Sequence, residues 1–246
     1  MLSVRTKEGL FLKSVSSNVE LKKMVGQRAA DLVKDGMRIG IGTGSTVVFF
    51  IEELARRVQN GLRIQGAPTS LGTRLLCAQH GIPLLDSMTI NHLDLAIDGA
   101  DEIDPSLNAI KGGGGAHTVE KIIASMADEF VLIADQTKLV SSLCRKFPLP
   151  VEVIPASLSF AEKEIRRLGG MPALRNAVRK DGPVITENGN FILDITFSDP
   201  PGDLEVLNAQ LKRIPGLLET GLFAGIAKKA LIGYQDTVET LLPRES

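Results

Sequence analysis

The chain is poor in residues that bridge, ligate or stack. Its 246 residues hold two cysteines, Cys77 and Cys144, and three histidines. Neither cysteine belongs to a CxxC pair, and no Cys/His cluster has zinc-like spacing, so the expectation is two reduced thiols in a reducing compartment. Tryptophan is absent and tyrosine occurs once, which leaves few platforms for stacking bases. No stretch approaches the roughly 18 apolar residues of a spanning helix. Residues 9–12 are too short an apolar run for a signal-peptide core. Charge of one sign is missing too: 28 basic against 29 acidic residues give a net −1, with no electrostatic footprint for nucleic acid or an anionic membrane. A cytoplasmic protein with no nucleic-acid or membrane partner is expected. Any anionic ligand must be held by a local site.

Short apolar runs alternating with amphipathic segments fill the first half. Helices are expected at 20–34, from Ser45 onward with Val47, Phe50, Ile51, Leu54 and Val58 on one face, at 71–80 behind the cap Thr69-Ser70, and at 118–127 with Val119, Ile122, Ile123 and Met126 buried. Strands are expected at 37–42, 62–67, 82–85, 93–98 and 130–134. The strands are continuous apolar runs, as in a parallel sheet covered on both faces. The texture changes near Phe147-Pro148. Beyond it come a strand at 151–154, a helix at 160–168 ended by Gly169-Gly170, and a hairpin of 184–186 and 191–197 about Asn188-Gly189. A helix at 204–214 and a strand at 217–223 follow, and 227–232 could return to the first sheet. The fold class read from this is α/β: a Rossmann-like parallel-sheet domain (1–146 and 221–246) with a smaller α+β, split βαβ, ferredoxin-like subdomain (147–220).

Ligands of an open parallel sheet bind beyond the carboxyl ends of its strands. Four strands deliver polar residues there: 43–46, Thr69-Ser70, 98–101 and 135–138. The loop 40–46 leads into a helix N-terminus, whose free N–H groups favour an anion. It fails the dinucleotide fingerprint at Ser45 or Val47, and no Lys precedes Ser45 as a Walker loop requires. A plain capped turn is the alternative. Asp98, Asp101, Glu102 and Asp104 crowd four carboxylates into seven positions, which a cation, a proton or substrate hydroxyls must answer. A solvated loop or a divalent-cation site stays open. Lys111, ahead of four glycines, can offset those acids and stabilise charge on a sugar oxygen. Glu120 falls in the first turn of its helix, where it is either a dipole-complementing acid or a base aimed into the cleft. Dipole and Lys111 would lower its pKa and burial would raise it, so the net sign is open. His117 reads as a rim contact or a solvated side chain, His80 as a helix-end residue, and His92 has no evident partner.

The motifs GIGTGST (40–46), DGADEID (98–104), KGGGGAHTVEK (111–121), KFPLPVEV (146–153), NGNFILD (188–194) and GLFA (221–224), in this order, resemble the ribose-5-phosphate isomerase A family. The resemblance implies interconversion of ribose 5-phosphate and ribulose 5-phosphate through a cis-enediolate, within the pentose phosphate pathway, without metal or cofactor. It implies Glu120 as the base between C2 and C1, Asp98 assisting ring opening, and Asp101 and Lys111 binding and polarising oxygens. Thr43, Gly44, Ser45 and Thr46 resemble the phosphate-side loop, and Lys22 and Lys138 match substrate or phosphate contacts. Gly99, Ala100, Gly112, Gly113 and Gly114 complete the substrate site. A homodimer or homotetramer is implied. His117 and Val119 are not fixed features of that pattern. Two other readings are a non-catalytic sugar-phosphate sensor, which should add a DNA-reading helix and a basic face, and an acyl-CoA transferase with a glutamyl adduct at Glu120.

Overall fold

The computed structural model describes residues 19–244; the leader reading at 9–12 falls outside them. In chain order the elements are α1 (Val19–Ala30), β1 (Arg38–Ile41), α2 (Ser45–Gln59), β2 (Gln65–Pro68), α3 (Leu71–Gln79), β3 (Leu93–Asp98), β4 (Glu102–Ile103), β5 (Ala109–Ile110), α4 (His117–Met126) and β6 (Ala127–Asp135). The remainder are β7 (Leu149–Val153), α5 (Leu158–Arg167), β8 (Met171–Leu174), β9 (Phe191–Thr196), α6 (Leu204–Lys212), β10 (Leu217–Thr220), β11 (Leu222–Phe223), β12 (Lys229–Tyr234) and β13 (Thr237–Leu241).

A six-stranded sheet runs β13-β12-β6-β3-β1-β2. Its five strands from β12 to β2 are mutually parallel, and β13 is antiparallel at the edge. Both faces are covered. Leu95, Ile97, Val131 and Ile133 pack with α1 and α2 residues such as Val25, Phe50 and Leu54. The residues between them, Ala96, Phe130, Leu132 and Ala134, pack with Ile123 and Ala124 of α4. Strands buried on both faces cannot alternate with polar residues, which is why they read as runs.

The second sheet, β10-β7-β9-β8, is antiparallel and carries α5 and α6. Its chain order, βαββαβ with spatial order 4-1-3-2, is the ferredoxin-like arrangement. A third sheet of three short strands, β11-β5-β4, joins two strands from the β3–β6 connection to one that follows β10.

Four expectations need correction. Residues 82–85 form no strand: only Leu84 bridges, to Gly66. The hairpin at 184–197 is absent. Asn188-Gly189 does turn, with the Gly189 N–H on the Thr186 carbonyl, but β9 pairs with β7 and β8. The polar side chains around that turn bond the buried Glu152 carboxylate, and the Val184 N–H bonds the Arg175 carbonyl just beyond β8, so 184–186 does not run alongside β9. The run 217–223 splits at Gly221 into strands of two different sheets. On α4, Ile122 is exposed, while His117, Thr118, Glu120, Ile123 and Ala124 are buried. That helix is wedged between two sheets, so a polar face is buried as well as an apolar one. Among the described residues no helix is long and apolar enough to cross a membrane.

Candidate active site

The loops after β1, β3 and β6 meet the glycine run that precedes α4 around a cleft of about 410 Å³. Thr43, Gly44, Ser45, Thr46, Gly99, Ala100, Asp101, Lys111, Gly112, Gly113, Gly114, Glu120, Lys22 and Lys138 all line it, so the structure brings together nearly every residue singled out from sequence. Asp98 is the exception. It lies one layer behind the wall, 2% exposed, with Oδ1 accepting the Thr43 N–H at 3.0 Å and the Gly99 N–H at 2.7 Å. Phe147 lines the cleft and is not among the site residues expected from sequence, although it stands in the anchor 146–153.

Lys111 is the centre of the charge arrangement. Its ammonium sits 3.0 Å from Asp98 Oδ2 and 3.0 Å from Glu120 Oε2, all three side chains being nearly inaccessible. It donates a directed hydrogen bond to the Gly99 carbonyl at 2.7 Å. The two carboxylate oxygens have charge contact with Nζ but no partner in hydrogen-bonding geometry. Burial works against charge on Lys111, yet the two carboxylates prevail and hold its pKa above the ordinary lysine value. Burial raises Glu120 to about 7, against the lowering effect of Lys111 and with Asp98 and Asp101 adding to the rise. The sign left open by the sequence is therefore upward. Asp98 is raised as well, first by burial, with Lys111 opposing.

The cleft wall also includes the start of α2, at Ser45 behind Gly44, with no side-chain cap on its first turn. Its N–H groups remain for an anion. Lys22 Nζ donates to Ser45 Oγ at 2.9 Å, bringing a cation to that helix start. The Thr43 hydroxyl, expected as a donor to ligand, is engaged elsewhere: it donates to Ser70 Oγ at 2.7 Å and lies near the Thr69 and Thr73 hydroxyls. Thr73 in turn donates to the Gly42 carbonyl at 2.8 Å. A hydroxyl cluster thus braces the loop from the α3 side.

The crowded acids of 98–104 each have a separate partner. Asp98 faces Lys111, and Asp101 Oδ2 accepts the Gly113 N–H at 2.8 Å. Glu102 is buried and accepts the backbone N–H groups of Cys144, Lys146 and Phe147. Asp104 accepts from Ser106 and Asn108. Among the described residues no group of three or more His, Cys, Asp or Glu is placed to hold a metal ion.

Sequence reasoning missed the support from the second sheet. Glu152, fully buried on β7, accepts from the Thr118 hydroxyl in the first turn of α4, and from Thr186, Asn188 and Asn190. Such partners are 34–38 residues away, and no local pattern announces them. His92, which had no evident partner, lies 3.0 Å from Asp128.

His117 is not a rim residue; it is fully buried. Neither ring nitrogen has a partner in hydrogen-bonding geometry, although the Glu219 backbone is close. Burial pushes its pKa down to about 4, opposed by Glu152 and assisted by Lys121 and Arg175. The unfolded chain, with an ordinary value near 6.5, therefore binds the extra proton first. Stability is complete above about pH 6.5 and falls as pH drops toward 4, by on the order of 3 kcal/mol from this group alone. His117→Leu is expected to flatten that limb and to add about 1–3 kcal/mol at neutral pH by removing an unsatisfied imidazole. Urea unfolding from pH 4 to 8 measures both; a variant with the parent's pH dependence would refute the assignment.

The model of the family described as ribose 5-phosphate isomerase A (phosphoriboisomerase A) matches residues 65–237. The ribose-5-phosphate isomerase A of Methanothermobacter thermautotrophicus is 47% identical over 91% of this chain and 98% of its own length. The solved ribose 5-phosphate isomerase A of Methanocaldococcus jannaschii superposes with a TM-score of 0.88 at 44% identity, covering 92% of this chain and all of that one. A D-ribose-5-phosphate isomerase solved in complex with phospho-erythronic acid is equally similar, with a TM-score of 0.88 at 42% identity over 92% of this chain and 98% of that one.

Proposed function

This chain belongs to the ribose 5-phosphate isomerase A family, and from that premise we propose how its cleft carries out the family's reaction. It is an aldose–ketose isomerase of ribose 5-phosphate and ribulose 5-phosphate. The observation that carries the mechanism is the Lys111 ammonium 3.0 Å from Glu120, in a cleft that also contains an uncapped helix N-terminus. The phosphate docks on the N–H groups of 44–46 with Lys22 and Lys138 beside it. That remote binding energy holds the open-chain sugar in place. Ring opening falls to the Asp98–Lys111 pair: burial raises the proton affinity of Asp98, and Lys111 stands between it and the sugar.

Glu120 then removes the proton from C2, and the C–H electrons form the C1–C2 double bond while O1 takes the negative charge. Lys111 stabilises that enediolate by charge and donation. The proton on Glu120 returns to C1, and the proton of the O2 hydroxyl passes to O1 as the C2 carbonyl forms, so no proton is gained or lost overall. One carboxyl serves both carbons, as a cis-enediolate requires. Asp101, on the same wall, binds a sugar hydroxyl. The test is ketose formation from ribose 5-phosphate by the purified chain in excess chelator. Undiminished turnover is expected; no turnover would sink the reading, and a chelator-sensitive rate would sink its metal-free form.

A further inference from the structure

Arg175 follows β8 and so comes from the antiparallel sheet, not from the sheet that carries the cleft. Its Nε donates to Asp194 Oδ2 at 2.8 Å and Nη2 pairs with Asp194 Oδ1. This two-point fork fixes the guanidinium plane. The remaining nitrogen, Nη1, donates to the Gly112 carbonyl at 2.7 Å and lies 3.4 Å from the Gly113 carbonyl. The side chain is largely shielded from water, at 15% exposure.

The Gly112 carbonyl and the Gly113 N–H are the two ends of one peptide group. That group is planar and its N–H points opposite to its C=O. The N–H end donates to Asp101 Oδ2 at 2.8 Å. A cation therefore grips one end of the peptide and a cleft carboxylate the other. Gly112 has φ of +110° and belongs to a run of four glycines, so no side chain of the loop itself restrains the plane. The Gly115 N–H also reaches the Gly112 carbonyl, at 3.0 Å, but that is a neutral bond within the same flexible run.

We infer that Arg175, held by Asp194, is a positioning residue for the isomerisation: it pins the 112–113 peptide and through it aims Asp101 at the sugar. A charge-assisted bond at the carbonyl polarises the peptide and strengthens donation at its N–H. The second sheet thereby reaches the reacting end of the cleft without touching substrate. This rests on the isomerase reading and adds a residue outside the cleft wall to it.

The test is a double-mutant cycle on the full chain. Arg175→Met is expected to lower kcat/KM roughly tenfold to hundredfold, the scale of a small misplacement. The same change in an Asp101→Asn background should cost less than about threefold, because the group that Arg175 aims is already lost. Arg175→Met within threefold of the parent chain overturns the inference. So do equal losses in the two backgrounds, which would mean a general structural effect. If Arg175→Met shows no cooperative thermal transition, Asp194→Asn, which removes half of the fork and keeps its volume, gives the same comparison. A parent chain without turnover overturns the isomerase reading and this inference together. A parent that turns over beside an equally active Arg175→Met overturns this inference alone.

Discussion

Glu120→Gln is expected to bind sugar phosphate as the parent does and to lose roughly 10²–10⁴-fold in kcat, the range a positioned general base supplies. The substitution is nearly isosteric and leaves Lys111 paired with Asp98, so the cleft keeps its shape and its cation. The inhibition constant of a phosphorylated four-carbon sugar acid should therefore move little while turnover collapses. The same residue sets the pH profile. Burial places Glu120 at about 7, and a base works when deprotonated. In the parent chain kcat/KM should rise about tenfold per pH unit below 7 and level off above it. Lys111 stays charged throughout, its pKa being raised. The residual activity of the variant should lack that limb. Unchanged turnover, or a limb that survives the substitution, would remove Glu120 from the role of base.

Lys111→Met should be more damaging still, because it acts on chemistry and on folding. Loss of one preorganised oxyanion donor costs about 10²–10³-fold in kcat. In addition the neighbouring base loses the cation that holds its proton affinity down, so less of it is ionised at neutral pH. Together these predict a loss of about a thousandfold or more in kcat/KM. The stability effect has a definite sign. Without the ammonium, Asp98 and Glu120 are buried with no counter-charge, and their pKa values rise further above those of the unfolded chain. Such groups stabilise the fold at low pH and cease to do so as pH rises through their folded-state values. The variant should lie about 3–5 kcal/mol below the parent near pH 8 and much closer near pH 5. Urea unfolding at the two pH values measures this; a deficit independent of pH would show that the carboxylates do not carry it.

The sequence was most readable where structure is local. The apolar run 93–98 is β3 to the residue. Ser70 caps α3 by accepting the Thr73 N–H, as Thr69-Ser70 suggested. Lys111 was deduced from a charge imbalance that its contacts with Asp98 and Glu120 display. Reading failed where one side chain gathers distant partners. Asn188-Gly189 promises a hairpin, but the backbone at 183–184 pairs with 175–176 and β9 with β7 and β8, while the side chains of the turn gather on Glu152. The two-residue strands β4 and β5 are too short to show any period. His117 reads as a rim contact or a solvated side chain, and packing beside Glu152 of β7 and Glu219 of β10 buries it instead. Glu102 adds to the crowding of acids in 98–104, but nothing local shows that its carboxylate holds backbone N–H groups 42–45 residues later.

Gly221 separates strands of two sheets and is bonded to both neighbours: its N–H to the Pro150 carbonyl, its carbonyl to the Lys111 N–H at 2.8 Å. A methyl group there would overlap the Lys111 carbonyl. Lys111 is thus fastened at one backbone atom to a residue 110 positions away, where β10 of the ferredoxin-like sheet ends. Contacts of such sequence separation close late, since their loop entropy must first be met by other structure. The placement of Lys111 therefore depends on both sheets: the bond at Gly221 exists only when the end of β10 and the loop before α4 are in place together.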